Sequence, residues 1–251
     1  MQKKSTSWGN VAGWYDGLLG GTDTYQEKVI LPNLVRLLAP RQGLRVLDLA
    51  CGQGYFSRAF AAKGAKVTGA DISSELIAKA REYSSGNITY LTAPADKLIG
   101  LKEKSFDAVT IVLALQNIQN LDGTLVECRR VLDKGGRLLL VLNHPAFRIP
   151  KKSEWGFDEK KQVQYRRVDA YLSESQAEIK MEPSKSGGVI TVSFHRPLQL
   201  YVKALAKNGF AVTRLEEWVS HRESEAGPRA KAEDRARKEI PLFLFLETVT
   251  S

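Results

Sequence analysis

The stretch Val-Leu-Asp-Leu-Ala-Cys-Gly-Gln-Gly-Tyr-Phe-Ser, Val46 to Ser57, constrains the fold more than any other part of the chain. The apolar run from Leu44 to Ala50 reads as a buried strand. It stops at Gly52 and Gly54, where the backbone can turn sharply and approach a ligand with no Cβ in the way. Helical spacing of Phe56, Ala59 and Phe60 follows between Tyr55 and Lys63. Strand, tight turn and helix in that order open a parallel α/β sheet, whose ligands bind outside the carboxyl ends of the strands.

The unit then repeats. Lys66 to Ala70 forms a second strand ending at Asp71, and Ser73 or Ser74 caps a helix through Leu76, Ile77 and Ala80. Strands are expected over Ile88–Leu91, Phe106–Leu113 and Arg137–Leu142, with a helix over Leu121–Leu132 ending before Gly135 and Gly136. Val212–Trp218 and Leu242–Val249 close a doubly wound, mostly parallel, seven-stranded Rossmann-like sheet. The rhythm breaks after the fifth strand. Val163–Tyr171 and Val189–Phe194 read as strands of a small β-containing cap over residues 144–196, set in a single domain of residues 1–251. Pro197 opens a helix to about Lys207, with Leu198, Val202 and Leu205 on its buried side.

Bulk charge narrows the partners only a little. A net charge of +9 suits an anionic substrate, nucleic acid or a membrane surface. The most basic-looking stretch, His221 to Glu239, interleaves both signs and reads as a solvated loop or exposed helix rather than a phosphate-binding stripe. No run approaches the ~20 apolar residues of a membrane helix, and the start lacks a secretory signal, so the cytoplasm is the expected compartment. Cys51 and Cys128 are too few for a disulfide framework or a zinc cluster, and no metal site is expected.

The glycine turn is a nucleotide-type site, and its details choose among ligands. The full G-x-G-x-x-G is absent, with Ser57 where a third glycine often stands. Asp48 precedes the glycines, where it would repel a pyrophosphate but suit a ligand carrying an ammonium group. Asp71 ends the second strand, about 20 residues on, in position to accept hydrogen bonds from ribose hydroxyls; the bland reading is a helix N-cap. Ala95 and Asp96 follow the third strand, where a backbone N–H and a carboxylate can read an adenine edge.

VLDLACGQG, GADIS, APADK and FDAVTIVLALQNI, in this order, resemble the class I S-adenosylmethionine-dependent methyltransferases of the small-molecule type. The resemblance covers roughly Val11 to Leu142. It implies S-adenosyl-L-methionine as cofactor and S-adenosyl-L-homocysteine as product. Its first motif implies that Asp48, Ala50, Gly52 and Gly54 hold the methionine part, and its ribose acid corresponds to Asp71, with Ile72 beside it. The adenine-side pair corresponds to Ala95 and Asp96, the strand-four exit to Leu113 and Gln116, and an aromatic residue over the cofactor to Tyr15. The cap after strand five implies a small-molecule acceptor.

If the acceptor must lose a proton, histidine is the side chain best matched to neutral pH. His144 follows the fifth strand, His195 closes the cap, and His221 opens the charged stretch. His144 and His195 are the catalytic candidates. Arg148, Arg166, Arg167 and Arg196 could hold a carboxylate or phosphate, and Phe147, Trp155, Phe157 and Tyr165 could wall an apolar pocket. The alternatives are an RNA or protein methyltransferase, motivated by the charge, a non-catalytic cofactor-binding protein, and last an NAD-dependent oxidoreductase. No nucleic-acid module and no motif for methylating base amino groups is present, and the sequence does not fix the oligomeric state.

Overall fold

The computed structural model describes residues 21, 23–84, 87–180 and 190–250. A π-helical turn, Gln26–Ile30, runs into α1 (Leu31–Leu38). Then β1 (Arg45–Leu49), α2 (Tyr55–Ala61), β2 (Lys66–Asp71), α3 (Ser74–Glu82) and β3 (Ile88–Thr92) alternate as the sequence pattern requires. They are followed by β4 (Phe106–Val112), α4 (Leu121–Val131) and β5 (Leu132–Asn143). The core closes with α5 (Leu198–Lys207), β10 (Phe210–Trp218), α6 (Ala230–Glu239) and β11 (Phe243–Thr250).

The seven core strands lie in the order β10-β11-β5-β4-β1-β2-β3, and β11 alone among them runs against the rest. Helices cover both faces. Leu34 and Leu38 of α1 and Phe60 of α2 pack with Val46, Leu139 and Phe245 on one side. Leu125 and Cys128 of α4 and Tyr201 and Leu205 of α5 pack with Leu47, Ile111 and Leu140 on the other. Strands buried on both faces read as continuous apolar runs, which is why β4 and β5 were legible as strands.

Three details differ from the sequence reading. β5 begins at Leu132, directly after α4, and passes through Gly135 and Gly136, with Gly135 at φ 72° taking the bend. Val202 is exposed, and the buried side of α5 is Tyr201, Ala204 and Leu205, because the face at that crossing is set by Tyr201 reaching the core. The charged stretch 221–239 contains the helix α6, of which only Ala236 is buried, in keeping with the exposed helix that its mixed charge allowed. The cap holds two hairpins rather than two recognised strands: β6 (Ser153–Asp158) pairs with β7 (Val163–Val168), and β8 (Ser175–Lys180) with β9 (Ile190–His195). β6 and β8 carry only two apolar residues each and are completed as strands by their partners, so their local signal is weak. No helix among the described residues is long and apolar enough to cross a membrane.

Candidate active site

The carboxyl ends of β1, β2, β3, β4 and β5 bring the motif residues to one edge. Register explains their contacts. Thr110, Asp48, Gly69 and Tyr90 are Cα partners in one row across β4, β1, β2 and β3. Paired residues share a face, so Thr110 Oγ1 donates to Asp48 Oδ1 at 3.1 Å, while Ser57 Oγ, one turn into α2, donates to Asp48 Oδ2 at 2.6 Å. Burial nonetheless lifts the Asp48 carboxyl to about 6, against the lowering effect of those hydrogen bonds. A buried carboxylate held near neutrality by burial gains most from a nearby cation.

The glycines of this edge serve packing as much as approach to a ligand. A Cβ on Gly69 would stand 2.7 Å from the Tyr90 ring and 2.9 Å from Cys51 Sγ, and one on Gly54 would stand 2.3 Å from Tyr90 Oη. Gly54 also takes φ 77° as the N-cap of α2. Tyr90 therefore fills the row behind the turn and is held by Ser84 Oγ at 2.9 Å. The sequence signal for this is the small residue two places before Asp71.

Asp71 is buried, and its Oδ2 accepts from Gly52 N–H and its Oδ1 from Ser73 N–H, each at 2.9 Å. Burial raises its carboxyl against those bonds. The cap of α3 is Ser73, whose hydroxyl accepts from Leu76 N–H at 3.1 Å, so Asp71 is not the capping residue. Ile72, next to this buried acid, is 62% exposed. A large apolar side chain left in the open beside a buried carboxylate offers a surface on which a flat ring could stack. Ala95 and Asp96 follow β3 closely, with Asp96 Oδ2 accepting from Asn120 Nδ2 at 2.8 Å, a tie to the start of α4.

Ala50 and Leu113 lie at φ 57° and 52°, left-handed values that cost energy for residues with a Cβ. Both sit at strand exits on the motif edge, and Leu113 N–H is anchored on Val141 O at 2.8 Å. Gln116, in the 3₁₀ turn Leu115–Asn117, donates through Nε2 to Leu113 O at 2.7 Å, and its Oε1 is buried without a partner. An unpaired buried acceptor costs about 1–3 kcal/mol, which a donor on a bound molecule would recover. Asp48, Asp71, exposed Ile72 and the orphan Gln116 Oε1 fit a ligand that carries cationic, ribose and adenine parts. Tyr15 lies outside the described residues.

The histidines are held differently from one another. Nδ1 of buried His144 accepts from Ala146 N–H at 3.2 Å, so Nε2 carries the proton and donates to Glu217 Oε1 at 2.7 Å. Both nitrogens are committed, and burial lowers its pKa against the pull of Glu217. His195 donates from Nε2 to Tyr171 O at 2.7 Å, which leaves the Nδ1 lone pair of the neutral ring uncommitted among the described residues. His221 meets Asp23 at 3.0 Å and stands edge-on to Tyr25, with Nδ1 buried and unpaired. Arg196, expected as an anion holder, spends its donors inside the protein on Leu115 O, Ile118 O and Gln119 O, because it is buried at the seam between β9 and the 3₁₀ turn.

The strand order, the glycine turn and the acid at the end of β2 define an α/β fold that holds a nucleoside-bearing cofactor at its carboxyl edge. Residues 47–140 match the family model described as a methyltransferase domain. The chain is 38% identical over 113 residues to the demethylmenaquinone methyltransferase of Tropheryma whipplei (strain Twist), covering 44% of this chain and 46% of that protein. It is 37% identical over 101 residues to the ubiquinone biosynthesis O-methyltransferase of Xanthomonas oryzae pv. oryzae (strain PXO99A), covering 39% and 42%. The chain thus matches a little under half the length of these curated relatives. The solved structure of an S-adenosylmethionine-dependent methyltransferase from Mesorhizobium loti superposes with a TM-score of 0.70 at 29% identity, covering 87% of this chain and 96% of that one. Residues 47–140 thus form a methyltransferase domain, and the fold and its solved neighbours support a class I S-adenosylmethionine-dependent methyltransferase with S-adenosylmethionine as cofactor.

Proposed function

We propose that this chain transfers a methyl group to O, N or S of a small-molecule acceptor held between the sheet edge and the two cap hairpins. The observation that carries the reading is the Arg196 strut, whose guanidinium, just after β9, donates to Leu115 O, Ile118 O and Gln119 O and so ties the end of the cap to the segment that follows β4. A cap there can exclude water and align an acceptor within about 3–3.5 Å of the transferred carbon. The names of the curated relatives refer to quinone-type small molecules, which supports a small acceptor here.

When bound, the cofactor supplies a methyl carbon made electrophilic by its sulfonium. Asp71 would accept the ribose hydroxyls, with Ile72, Ala95 and Asp96 around the adenine. Ala50, Gly52, Gly54, Leu113 and Gln116 would surround the methionine part, with ionised Asp48 behind it as the balancing charge. His195 takes the acceptor's proton at Nδ1 where the nucleophile needs deprotonation, because its Nε2–H is already given to Tyr171 O. His144 acts as a positioning residue that fixes the β5 exit through Glu217 and Ala146. The same reading puts the enzyme in the cytoplasm.

The test is S-adenosylhomocysteine formation by the full chain across phenols, amines and thiols, with RNA and protein substrates alongside. Turnover on a small molecule is expected; turnover on RNA or protein alone would contradict the proposal.

A further inference from the structure

Arginines at the base of the cap are paired in reverse of the usual order. Exposed Arg167 meets two carboxylates, Glu154 at 2.9 Å and Asp169 at 3.1 Å. Its neighbour Arg166 and the more deeply placed Arg148 form no ion pair with any described residue. Arg148 donates to Asn143 Oδ1 at 2.7 Å and lies over the Phe243 ring, 5.5 Å from its centroid. Arg166 donates to Phe147 O at 2.7 Å and to Ser153 Oγ at 2.8 Å, and lies over Trp155 at 5.2 Å. Stacking uses the face of a guanidinium and none of its five N–H donors.

Burying a cation without an anion is costly, and burial lowers the pKa of both groups, with Arg166 adding to the effect on Arg148. Glu154 reaches Arg166 only from beyond ion-pair distance while it pairs with Arg167, and no described carboxylate offsets Arg148. The two arginines flank Phe147, just after β5 ends and on the edge where the acceptor is placed above. Tyr25 packs on the same Phe243 ring, and the buried, unpaired His221 Nδ1 belongs to a ring that touches Tyr25. Two guanidiniums without an ion pair and the aromatic rings beside them converge on one place.

We propose that Arg148 and Arg166 form an anion subsite that takes a carboxylate on the methyl acceptor. The inference rests on the small-molecule methyltransferase reading and narrows its substrate class to acidic acceptors, with the aromatic rings beside the guanidiniums taking the acceptor's apolar body. A bidentate carboxylate also fixes orientation, which in-line methyl transfer demands.

The full chain saturated with S-adenosylhomocysteine is titrated with benzoate, phenylacetate and 2-naphthoate, and with the carboxamide of each. At least one carboxylate is expected to bind tenfold or more tightly than its amide, and Arg148→Gln or Arg166→Gln is expected to erase that preference with S-adenosylhomocysteine affinity unchanged. Acid and amide binding alike throughout the wild-type panel, or a preference that survives in both variants, overturns the subsite. If the folded wild type fails to bind S-adenosylhomocysteine, the parent reading falls and takes the subsite with it. Arg148→Met supplies a readout free of any ligand: without the uncompensated charge it should melt no lower than wild type, and a clear fall in Tm would make Arg148 a structural residue instead.

Discussion

Over β1 and β2, Asp48 and Asp71 meet hydroxyls and backbone N–H groups, whereas over β5 Arg148 and Arg166 meet a carbonyl, an amide, a hydroxyl and aromatic rings. The first region carries buried negative charge and the second partly buried positive charge. Each excess matches one half of the reaction: a cationic cofactor and, as proposed, an anionic acceptor. The first region is also assembled from residues close in sequence, since Asp48, Ser57, Gly69 and Asp71 lie within two strands and a helix. The second is assembled from β5, the cap and the start of β11, so its partners meet only in the folded chain.

Substitutions can separate the two regions. The largest effect is expected from Gly69→Val, whose side chain would press into Tyr90 and Cys51; overpacking of this kind costs about 1–3 kcal/mol or more. Denaturant unfolding should show that loss together with failure to bind cofactor, and a variant as stable as wild type would mean that the row behind the turn is loosely packed. Asp71→Ala comes next, with cofactor affinity falling by about 1.5–3 kcal/mol through lost hydrogen bonds to the ribose. Calorimetry giving an unchanged affinity in a folded variant would remove Asp71 from the site.

Arg196→Met should lower stability by about 1–3 kcal/mol, because three carbonyls lose their donor. The sharper expectation is a rise in acceptor KM with cofactor affinity nearly constant, and equal damage to both would show the regions to be one unit.

Asp48 gives the comparison a pH axis. A carboxyl raised from 3.8 to about 6 in the folded protein adds stability that is full below about 3.8 and is lost as pH rises through about 6. Ionised Asp48 therefore costs the cofactor-free protein up to about 3 kcal/mol at neutral pH. Asp48→Asn should raise the melting temperature at pH 7.5 while weakening cofactor binding, and cofactor affinity of the wild type should fall as pH drops through about 6. A variant less stable at pH 7.5, or a flat affinity profile, would show that Asp48 only props the turn. Smallest is Glu217→Gln, which removes the carboxylate charge beside His144 and keeps an oxygen to accept from Nε2–H. It should shift the pH dependence of turnover by a few tenths of a unit at most, and a loss of activity comparable to that of His195→Ala would return His144 to the chemistry.

The difference between the regions also explains what the sequence discloses. The glycine turn, Asp71 and the alternating strands are local patterns with a fixed period, so β1 to β5 and their flanking helices are readable from the chain. The Thr110 bond to Asp48 depends on cross-strand register, and Tyr90 matters only because register lays it over Gly69. Neither is visible in composition or spacing. In the cap, β6 and β8 alternate only two apolar residues each, Trp155 with Phe157 and Ala177 with Ile179, and the commitment of His144 Nε2 depends on Glu217, 73 residues away. Arg196 illustrates the same limit, since a basic residue near a ligand edge looks alike in sequence whether it awaits an anion or braces a turn.

The most direct test of the central claim is isothermal titration of the purified chain with S-adenosylmethionine and S-adenosylhomocysteine, with NAD as control. The account predicts micromolar binding of both sulfur ligands and none of NAD. Absence of binding by either sulfur ligand to a folded sample, or binding of NAD alone, would contradict it.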